Sequence, residues 1–250
     1  MTAPRPLIAG NWKMYGLGAA VGEARKVAEA LAALPARARV AICAPATLVE
    51  RLARAAEGSD LIVGGQDVHV EVEGAFTGDV SAEMLRDAGA RMVILAHSER
   101  RSAYGESDAL AAAKARAALR AGLEPIVCVG ETLEERKAGR TLEVICGQVQ
   151  GSVPRDVVGS AFSVAYEPVW AIGTGLTPTV EQIEEAHVAL RRALVESLGE
   201  AGAGAPILYG GSVKPGNAAE ILKVREVGGA LVGGASLKAE DFLAIVRAGD

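Results

Sequence analysis

The chain has 250 residues, of which 50% are hydrophobic and 23% are charged, and its formal net charge is −5. This composition is that of a folded globular protein and excludes extended disorder. The negative charge disfavours binding to nucleic acid and to anionic membrane surfaces. The longest stretch without a charged residue has 13 positions, 168–180, and is too short to cross a bilayer.

The three cysteines indicate a reducing environment. Cys43, Cys128 and Cys146 are odd in number and form no Cys-x-x-Cys pair. We interpret them as free thiols rather than as a disulfide framework or a zinc site. The first residues also lack the apolar core of a secretion signal, so we expect a cytoplasmic protein.

Eight short apolar runs predict eight β-strands, beginning near residues 7, 40, 61, 92, 125, 162, 207 and 230. The runs are mostly continuous, which is typical of parallel strands that are covered on both faces. Their starts lie about 32 residues apart on average, the length of one strand and one helix. The sequence therefore predicts an α/β protein, a single (βα)₈ barrel over residues 1–250 with an outer ring of helices. A doubly wound open sheet is the alternative.

Helical patterns lie between these runs. Apolar residues from Val21 to Leu34 recur at spacings of three and four, which predicts one buried helix stripe. Thr179 with Gln182, and Thr132 with Glu135, have the spacing of capping boxes and predict two helix starts.

Glycine, at 30 residues, is the one unusual feature of the composition. Glycines follow several strands directly, at 10, 64–65, 130, 210–211 and 233–234. Glycine allows close approach of the backbone to a ligand, although tight turns alone would explain some of these positions. Clustering at one end of the strands favours a ligand-binding face there. Neither a dinucleotide-binding fingerprint nor a phosphate-loop lysine occurs, so no nucleotide cofactor is indicated.

Polar side chains follow four of the predicted strands. They are Asn11 and Lys13 after the first strand, His97 and Glu99 after the fourth, Glu167 after the sixth, and Ser212 after the seventh. This set contains a base, an imidazole and a fixed cation but no cluster of metal ligands, so we expect no metal. It suits proton transfer next to a carbonyl group. Taken singly, each has an ordinary interpretation, as a solvated lysine, a structural histidine or a surface carboxylate.

The position of His97 indicates a neutral ring. It lies beside a predicted helix start, where backbone N–H groups and the positive end of the helix dipole disfavour the imidazolium form. We assume that His69 and His187, which have no matching polar partners in the sequence, are structural.

Seven sequence blocks resemble the triosephosphate isomerase family over essentially the whole chain. They are GNWKM at 10–14, GAFTG at 74–78, AHSERR at 96–101, CVGET at 128–132, AYEPVWAIGTG at 165–175, YGGSV at 209–213 and LVGGASL at 231–237. The resemblance implies an aldose–ketose isomerase of glycolysis and gluconeogenesis that needs no cofactor. Its reaction interconverts dihydroxyacetone phosphate and D-glyceraldehyde 3-phosphate through an enediol or enediolate.

The resemblance also implies a role for each polar residue at the strand ends. Glu167 is then the base that moves a proton between adjacent carbons. His97 is the neutral electrophile at the carbonyl oxygen, Lys13 supplies fixed positive charge, and Asn11 adds a donor. Glu99 lies beside the site and orders Lys13.

Phosphate binding and a mobile lid are implied in the same way. Asn11 and Lys13 contact the substrate, and backbone N–H groups hold its phosphate at Gly173, Ser212, Gly233 and Gly234. The lid comprises Pro168, Val169, Trp170, Ala171, Ile172, Gly173, Thr174, Gly175, Leu176 and Thr177. Pro178 departs from the alanine common at that place in the family, which predicts that the far hinge is stiffer or pivots elsewhere.

The 74–78 block resembles the loop by which subunits of the family interlock, with Thr77 reaching towards the Lys13 region of a partner. We therefore expect a homodimer. Two alternatives remain open at this point. Another phosphosugar barrel enzyme, such as an aldolase, generally requires a lysine within a strand, and a non-catalytic phosphate-binding protein would lack Lys13, His97 or Glu167.

Overall fold

The computed structural model describes residues 5–172 and 176–250. In these residues eight strands pair in parallel and close into a barrel in the order β1 to β8, with β8 against β1. They are β1 Leu7–Asn11, β2 Arg39–Cys43, β3 Leu61–Gly65, β4 Met92–Leu95, β5 Glu124–Val129, β6 Ser163–Tyr166, β7 Ile207–Tyr209 and β8 Gly229–Val232. The predicted barrel is confirmed, and each predicted strand start lies within one residue of the observed one. The open-sheet alternative is wrong, because β8 pairs with β1.

The α-helices of the described residues lie outside the barrel. They are α1 Val21–Ala33, α2 Ala46–Ala55, α3 Ala82–Asp87, α4 Ser98–Tyr104, α5 Asp108–Arg120, α6 Leu133–Lys137, α7 Thr141–Ser152, α8 Val180–Leu198, α9 Glu200–Gly204, α10 Ala218–Ile221 and α11 Ala239–Arg247. Both predicted capping boxes form, at Thr132 before α6 and at Thr179 before α8. The predicted stripe of α1 is buried at Ala24, Val27 and Leu31, but Leu34 lies beyond the helix and is exposed, because α1 ends at Ala33.

Two apolar layers hold the barrel together. Side chains that alternate along the strands fill its interior: Leu7, Ala9, Ala41, Cys43, Met92, Ile94, Ile126, Cys128, Ala165, Leu208 and Leu231. The intervening strand residues pack outward against the helices in a larger cluster. Because both faces of the strands are covered, the strands are mostly apolar, as the continuous runs predict.

A charged pair closes the amino-terminal end of the barrel interior. Arg39 begins β2 and Glu124 begins β5, in the same alternation as the interior side chains Ala41 and Ile126. The guanidinium of Arg39 binds both carboxylate oxygens of Glu124, one of them at 3.1 Å. β3 and β4 lie between these two strands, so the bond crosses the barrel interior. The polar residues of the other end are therefore separated from this pair by apolar layers.

Candidate active site

The carboxyl ends of the strands open into a cleft of about 610 Å³. Its walls include the predicted site residues Asn11, Lys13, His97, Glu167, Ser212, Gly233 and Gly234. Glu99 contacts this group through Lys13. Gly173, Thr174 and Gly175 lie outside the described residues. Residues at the carboxyl ends of five strands, β1, β4, β6, β7 and β8, therefore line one cleft at the open end of the barrel.

Glu167 stands at the end of β6 and is only 1% exposed. Its backbone N–H donates to the Val129 carbonyl at 2.8 Å, which extends the pairing of β6 with β5 by one residue. Glycines flank it on both sides. A Cβ atom at Gly130 would lie 1.8 Å from the Glu167 carbonyl oxygen, and one at Gly210 would lie 3.0 Å from its Cγ. These two glycines make room for Glu167. The interpretation that the glycines after the strands line a ligand-binding face therefore does not apply to Gly130 and Gly210.

The carboxylate of Glu167 has three hydrogen-bond donors. Nε2 of His97 lies 2.8 Å from Oε1, the hydroxyl of Ser98 donates to the same oxygen at 3.1 Å, and the Ser98 backbone N–H donates to Oε2 at 2.9 Å. Our sequence analysis missed Ser98. It lies inside the AHSERR block, directly after His97, and that adjacency is the signal that could have identified it.

The carboxylate and the imidazole shift each other's titration. Burial raises the pKa of Glu167, but attraction to His97 and the hydrogen bonds from His97 and Ser98 outweigh it, so the net pKa is lowered. Burial lowers the pKa of His97, but the charge of Glu167 and its hydrogen bond to the ring together outweigh burial, so the net pKa is raised. Glu167 is therefore ionised at neutral pH, as a base must be.

The hydrogen bonds of His97 determine which ring nitrogen carries the proton when the ring is neutral. His97 is the N-cap of α4, and its Nδ1 accepts from the Glu99 backbone N–H at 3.3 Å. A proton on Nδ1 would point at that N–H group, whereas a proton on Nε2 points at Glu167. In the neutral ring the proton therefore lies on Nε2. The helix-start argument predicts a lowered pKa, but the net pKa of His97 is raised because the Glu167 carboxylate lies against Nε2.

Lys13 has a left-handed backbone, with φ of 50°. Its N–H donates to Oδ1 of Asn11 at 2.9 Å, and its carbonyl accepts from the Gln66 side chain at 2.8 Å. Its ammonium group pairs with the carboxylate of Glu99, as the resemblance implies. Gln66, which also donates to the Cys43 carbonyl at 3.1 Å, is a further residue that sequence reasoning missed.

A glycine turn after β8 faces Lys13 across the cleft. A Cβ atom at Gly233 would lie 3.7 Å from Cε of Lys13, and one at Gly234 would meet no atom within 4 Å. Ser236 bonds the Gly233 carbonyl through its hydroxyl at 2.7 Å, and the indole N–H of Trp12 donates to the Ser236 carbonyl at 3.0 Å. The turn is thus open to a small anion and is held from behind by Trp12.

This arrangement places a buried carboxylate, an imidazole, an ammonium group and an open glycine turn around one cleft. A sequence model of the family described as triosephosphate isomerase matches residues 6–249. The chain belongs to the triosephosphate isomerase family. The triosephosphate isomerase of Caulobacter vibrioides is 62% identical over 247 residues, which cover 99% of this chain and 98% of the relative.

Further relatives agree along the whole length. The triosephosphate isomerase of Ruegeria pomeroyi is 58% identical, over 98% of this chain and 97% of its own. A crystal structure of the triosephosphate isomerase from Bartonella henselae matches with a TM-score of 0.90 and 46% identity, and covers 98% of both chains. The family resemblance and the fold predicted from the sequence are therefore confirmed.

The near half of the lid segment rests on Glu131, which is fully buried. The Glu131 carbonyl accepts from the Val169 N–H at 3.1 Å, and its Oε1 accepts from the Trp170 indole at 2.9 Å and from the Tyr166 hydroxyl at 3.2 Å. Arg136 pairs with the same carboxylate at 3.1 Å. On the far side, Pro178 directly precedes Thr179, the N-cap of α8. In this member of the triosephosphate isomerase family, Glu131 anchors one end of the segment, a role that the CVGET block did not reveal.

The thiol of Cys128, in β5 beneath the site, is fully buried. Burial raises the pKa of the Cys128 thiol, and the charge of Glu167 raises it further, so Cys128 is protonated and packs as an apolar group. All three cysteines are free.

Within residues 5–172 and 176–250, no three His, Cys, Asp or Glu side chains group as metal ligands. Among the described helices, none has the length and hydropathy needed to span a membrane.

Proposed function

We propose that this chain is an aldose–ketose isomerase that interconverts dihydroxyacetone phosphate and D-glyceraldehyde 3-phosphate, the reaction of its family. The observation that carries the proposal is the contact between the buried Glu167 carboxylate and Nε2 of His97, 2.8 Å apart at the mouth that Lys13 also lines. An ionised base and a neutral N–H donor at one point suit proton removal beside a carbonyl.

In the proposed mechanism Glu167 removes a proton from the carbon next to the carbonyl. The C–H electron pair becomes the carbon–carbon double bond of an enediolate, and the carbonyl π electrons move onto oxygen. Nε2–H of His97 and the side chains of Lys13 and Asn11 stabilise that oxygen. Glu167 then returns the proton to the neighbouring carbon, while His97 relays protons between the two oxygens. Preorganised donors of this kind are worth on the order of 10²–10³-fold each.

The glycine turn and Ser212 are proposed to bind the phosphate through backbone N–H groups. Because the phosphate does not react, its binding energy can align the carbonyl between Glu167 and His97. Closure of the lid, including Gly173, Thr174 and Gly175, would exclude water and protect the enediolate. The altered far hinge at Pro178 stays a prediction, as do the single domain over residues 1–250 and the cytoplasmic location.

Neither alternative function is favoured by an observation. None of the eight described strands contains the lysine that a Schiff-base aldolase would need, and Lys13 is paired with Glu99 outside β1. A non-catalytic phosphate-binding protein would have no need for a buried carboxylate that is held by His97 and Ser98.

A direct assay tests the proposal. The protein is mixed with dihydroxyacetone phosphate, and formation of the aldehyde is followed through a coupled dehydrogenase. We expect turnover by the wild type and a loss of turnover in Glu167→Gln, whose amide cannot accept the proton. Glu181→Gln, at an exposed position in the first turn of α8, is the matched control. Failure of the wild type to form aldehyde would refute the proposed function.

We also propose that the chain is a homodimer that interlocks through the loop at 74–78. Met14, Tyr15 and Leu17, which follow Lys13, are 94%, 59% and 84% exposed, and Phe76 near the loop tip is 42% exposed. Exposed apolar side chains of this size support a protein interface that includes the two segments. In the proposed dimer Thr77 of one protomer reaches the Lys13 region of the other.

Light scattering after gel filtration tests the dimer. We expect a mass twice that of the 25.6 kDa chain. Phe76→Asp should shift the population to monomer and reduce activity, whereas Val158→Asp, at a comparably exposed apolar position after α7, should not. A wild type that is monomeric and fully active in dilute solution would contradict the proposal.

A further inference from the structure

The guanidinium group of Arg101 joins the ends of two neighbouring barrel strands. Its Nε donates to the Ala96 carbonyl, directly after β4, at 3.0 Å, and one terminal nitrogen donates to the Cys128 carbonyl in β5 at 3.1 Å. That nitrogen also donates to the Ser152 hydroxyl at 2.9 Å, and the other terminal nitrogen pairs with Asp108 at 2.6 Å. Four of the five N–H groups of an arginine are thus used.

These bonds act on the peptide that carries His97. Ala96 has φ of 54°, a left-handed conformation that non-glycine residues rarely adopt and that requires support from its surroundings. Arg101 supports it from both sides, because its side chain binds the Ala96 carbonyl and its backbone N–H donates to the His97 carbonyl at 3.0 Å. The direction in which His97 leaves β4 therefore depends on Arg101.

Arg101 does not contact the substrate cleft. It is absent from the cleft walls, and its side chain is 16% exposed on the outer side of the strand ends. The charge is balanced by Asp108, which also accepts from Ser152 at 2.8 Å. Its donors are thus directed at the scaffold beneath the site and not at a ligand.

We infer that Arg101 is a positioning residue for the isomerase reaction, which fixes His97 against Glu167 by holding the carbonyls of Ala96 and Cys128. This inference rests on the proposed function. A lysine could not replace Arg101 fully, because one ammonium group cannot reach two strand-end carbonyls and Asp108 in the planar geometry of a guanidinium. A displacement of the ring by about 1 Å is expected to cost roughly 10²-fold in turnover.

Steady-state kinetics of three variants test the inference. In Arg101→Gln we expect kcat to fall roughly 10- to 100-fold while KM changes less than about threefold, because the phosphate turn is untouched. Arg101→Lys should lose less, and added guanidinium ion should restore part of the kcat of Arg101→Gln. Arg116→Gln is the matched control, since Arg116, on α5, forms a half-exposed ion pair with Asp156, which follows α7.

The same kinetic measurements distinguish a positioning role of Arg101 from a role in stability alone. If kcat of either Arg101 variant stays within about twofold of wild type, even where the thermal midpoint falls, the inference is overturned. Should Arg101→Gln not fold, Arg101→Lys decides by the same criterion.

The inference can fail separately from the proposed function. ¹⁵N NMR of the His97 ring should show changed shifts in Arg101→Lys and unchanged shifts in Arg116→Gln, whether or not the wild type isomerises triose phosphates. Unchanged His97 shifts in Arg101→Lys would overturn the positioning role.

Discussion

Shortening the proposed base by one methylene group, in Glu167→Asp, separates geometry from charge. The variant keeps the carboxylate but withdraws it by about 1.5 Å, one carbon–carbon bond. In the wild type the carboxylate oxygens lie between 2.8 and 3.1 Å from their donors on His97 and Ser98. A withdrawal of this size exceeds the tolerance of all three hydrogen bonds.

The expected loss follows from that displacement. A misplacement of about 1 Å between reacting groups costs roughly 10²-fold, so kcat of Glu167→Asp should fall at least about 10²-fold. This corresponds to about 2.7 kcal/mol of transition-state free energy. KM should change little, because the phosphate turn at Gly233 and Gly234 does not touch Glu167. The loss should therefore appear in kcat and in kcat/KM alike.

The assay measures kcat and KM in both directions, together with deuterium uptake from solvent into dihydroxyacetone phosphate. Uptake should fall in parallel with kcat, since both require proton removal by the carboxylate. Glu181→Asp, which makes the same change at the exposed start of α8, should behave as wild type. Near-normal kcat in Glu167→Asp, or undiminished deuterium uptake, would refute the assignment of Glu167 as the base.

Three further predictions concern the scaffold. Trp12→Phe removes the indole N–H that supports the phosphate turn, a bond worth about 1 kcal/mol, so inhibition by inorganic phosphate should weaken roughly fivefold with kcat nearly unchanged. Burial lowers the pKa of His187 to about 4 from 6.5. As the pH falls, His187 is therefore protonated in the unfolded chain, near pH 6.5, before it is protonated in the folded protein. The free energy of unfolding falls by about 3 kcal/mol between neutral pH and pH 4. Denaturant titrations at several pH values measure the free energy of unfolding. Its fall between neutral pH and pH 4 should be larger in wild type than in His187→Gln by this amount. Glu124→Gln leaves Arg39 unpaired at the barrel floor and should cost about 2–3 kcal/mol in denaturant unfolding. Removing Glu196 from its exposed pair should cost less than about 0.5 kcal/mol.

The barrel could be predicted from the sequence because every strand is apolar on both faces. Such runs stand out against amphipathic helices, and the observed strand starts differ from the predicted ones by at most one residue. The pair of Arg39 and Glu124 could not be predicted. Each residue precedes an apolar run as an ordinary surface charge would. Only closure of the barrel turns the starts of β2 and β5 towards one interior.

The residues of the candidate site likewise fall into those that could be predicted from the sequence and those that could not. Side chains that carry unusual chemistry at strand ends, such as His97 and Glu167, are conspicuous in the sequence, and the structure brings them together. Ser98, Gln66 and Glu131 were missed because their residue types are common and their partners are distant in the chain. Ser98, for example, binds a carboxylate 69 positions away.

The proposed catalytic side chains are held mainly through the backbone. Lys13 and Ala96 are two of the three non-glycine residues with positive φ in the described part of the chain. Lys13 lines the cleft, and Ala96 directly precedes His97, which also lines it. Gln66 and Arg101 bind the carbonyls of these two residues. A left-handed residue persists only where its surroundings support it. Loss of that support would therefore change the direction of Lys13 or His97 before it changes any phosphate contact, and such substitutions should lower kcat before they raise KM.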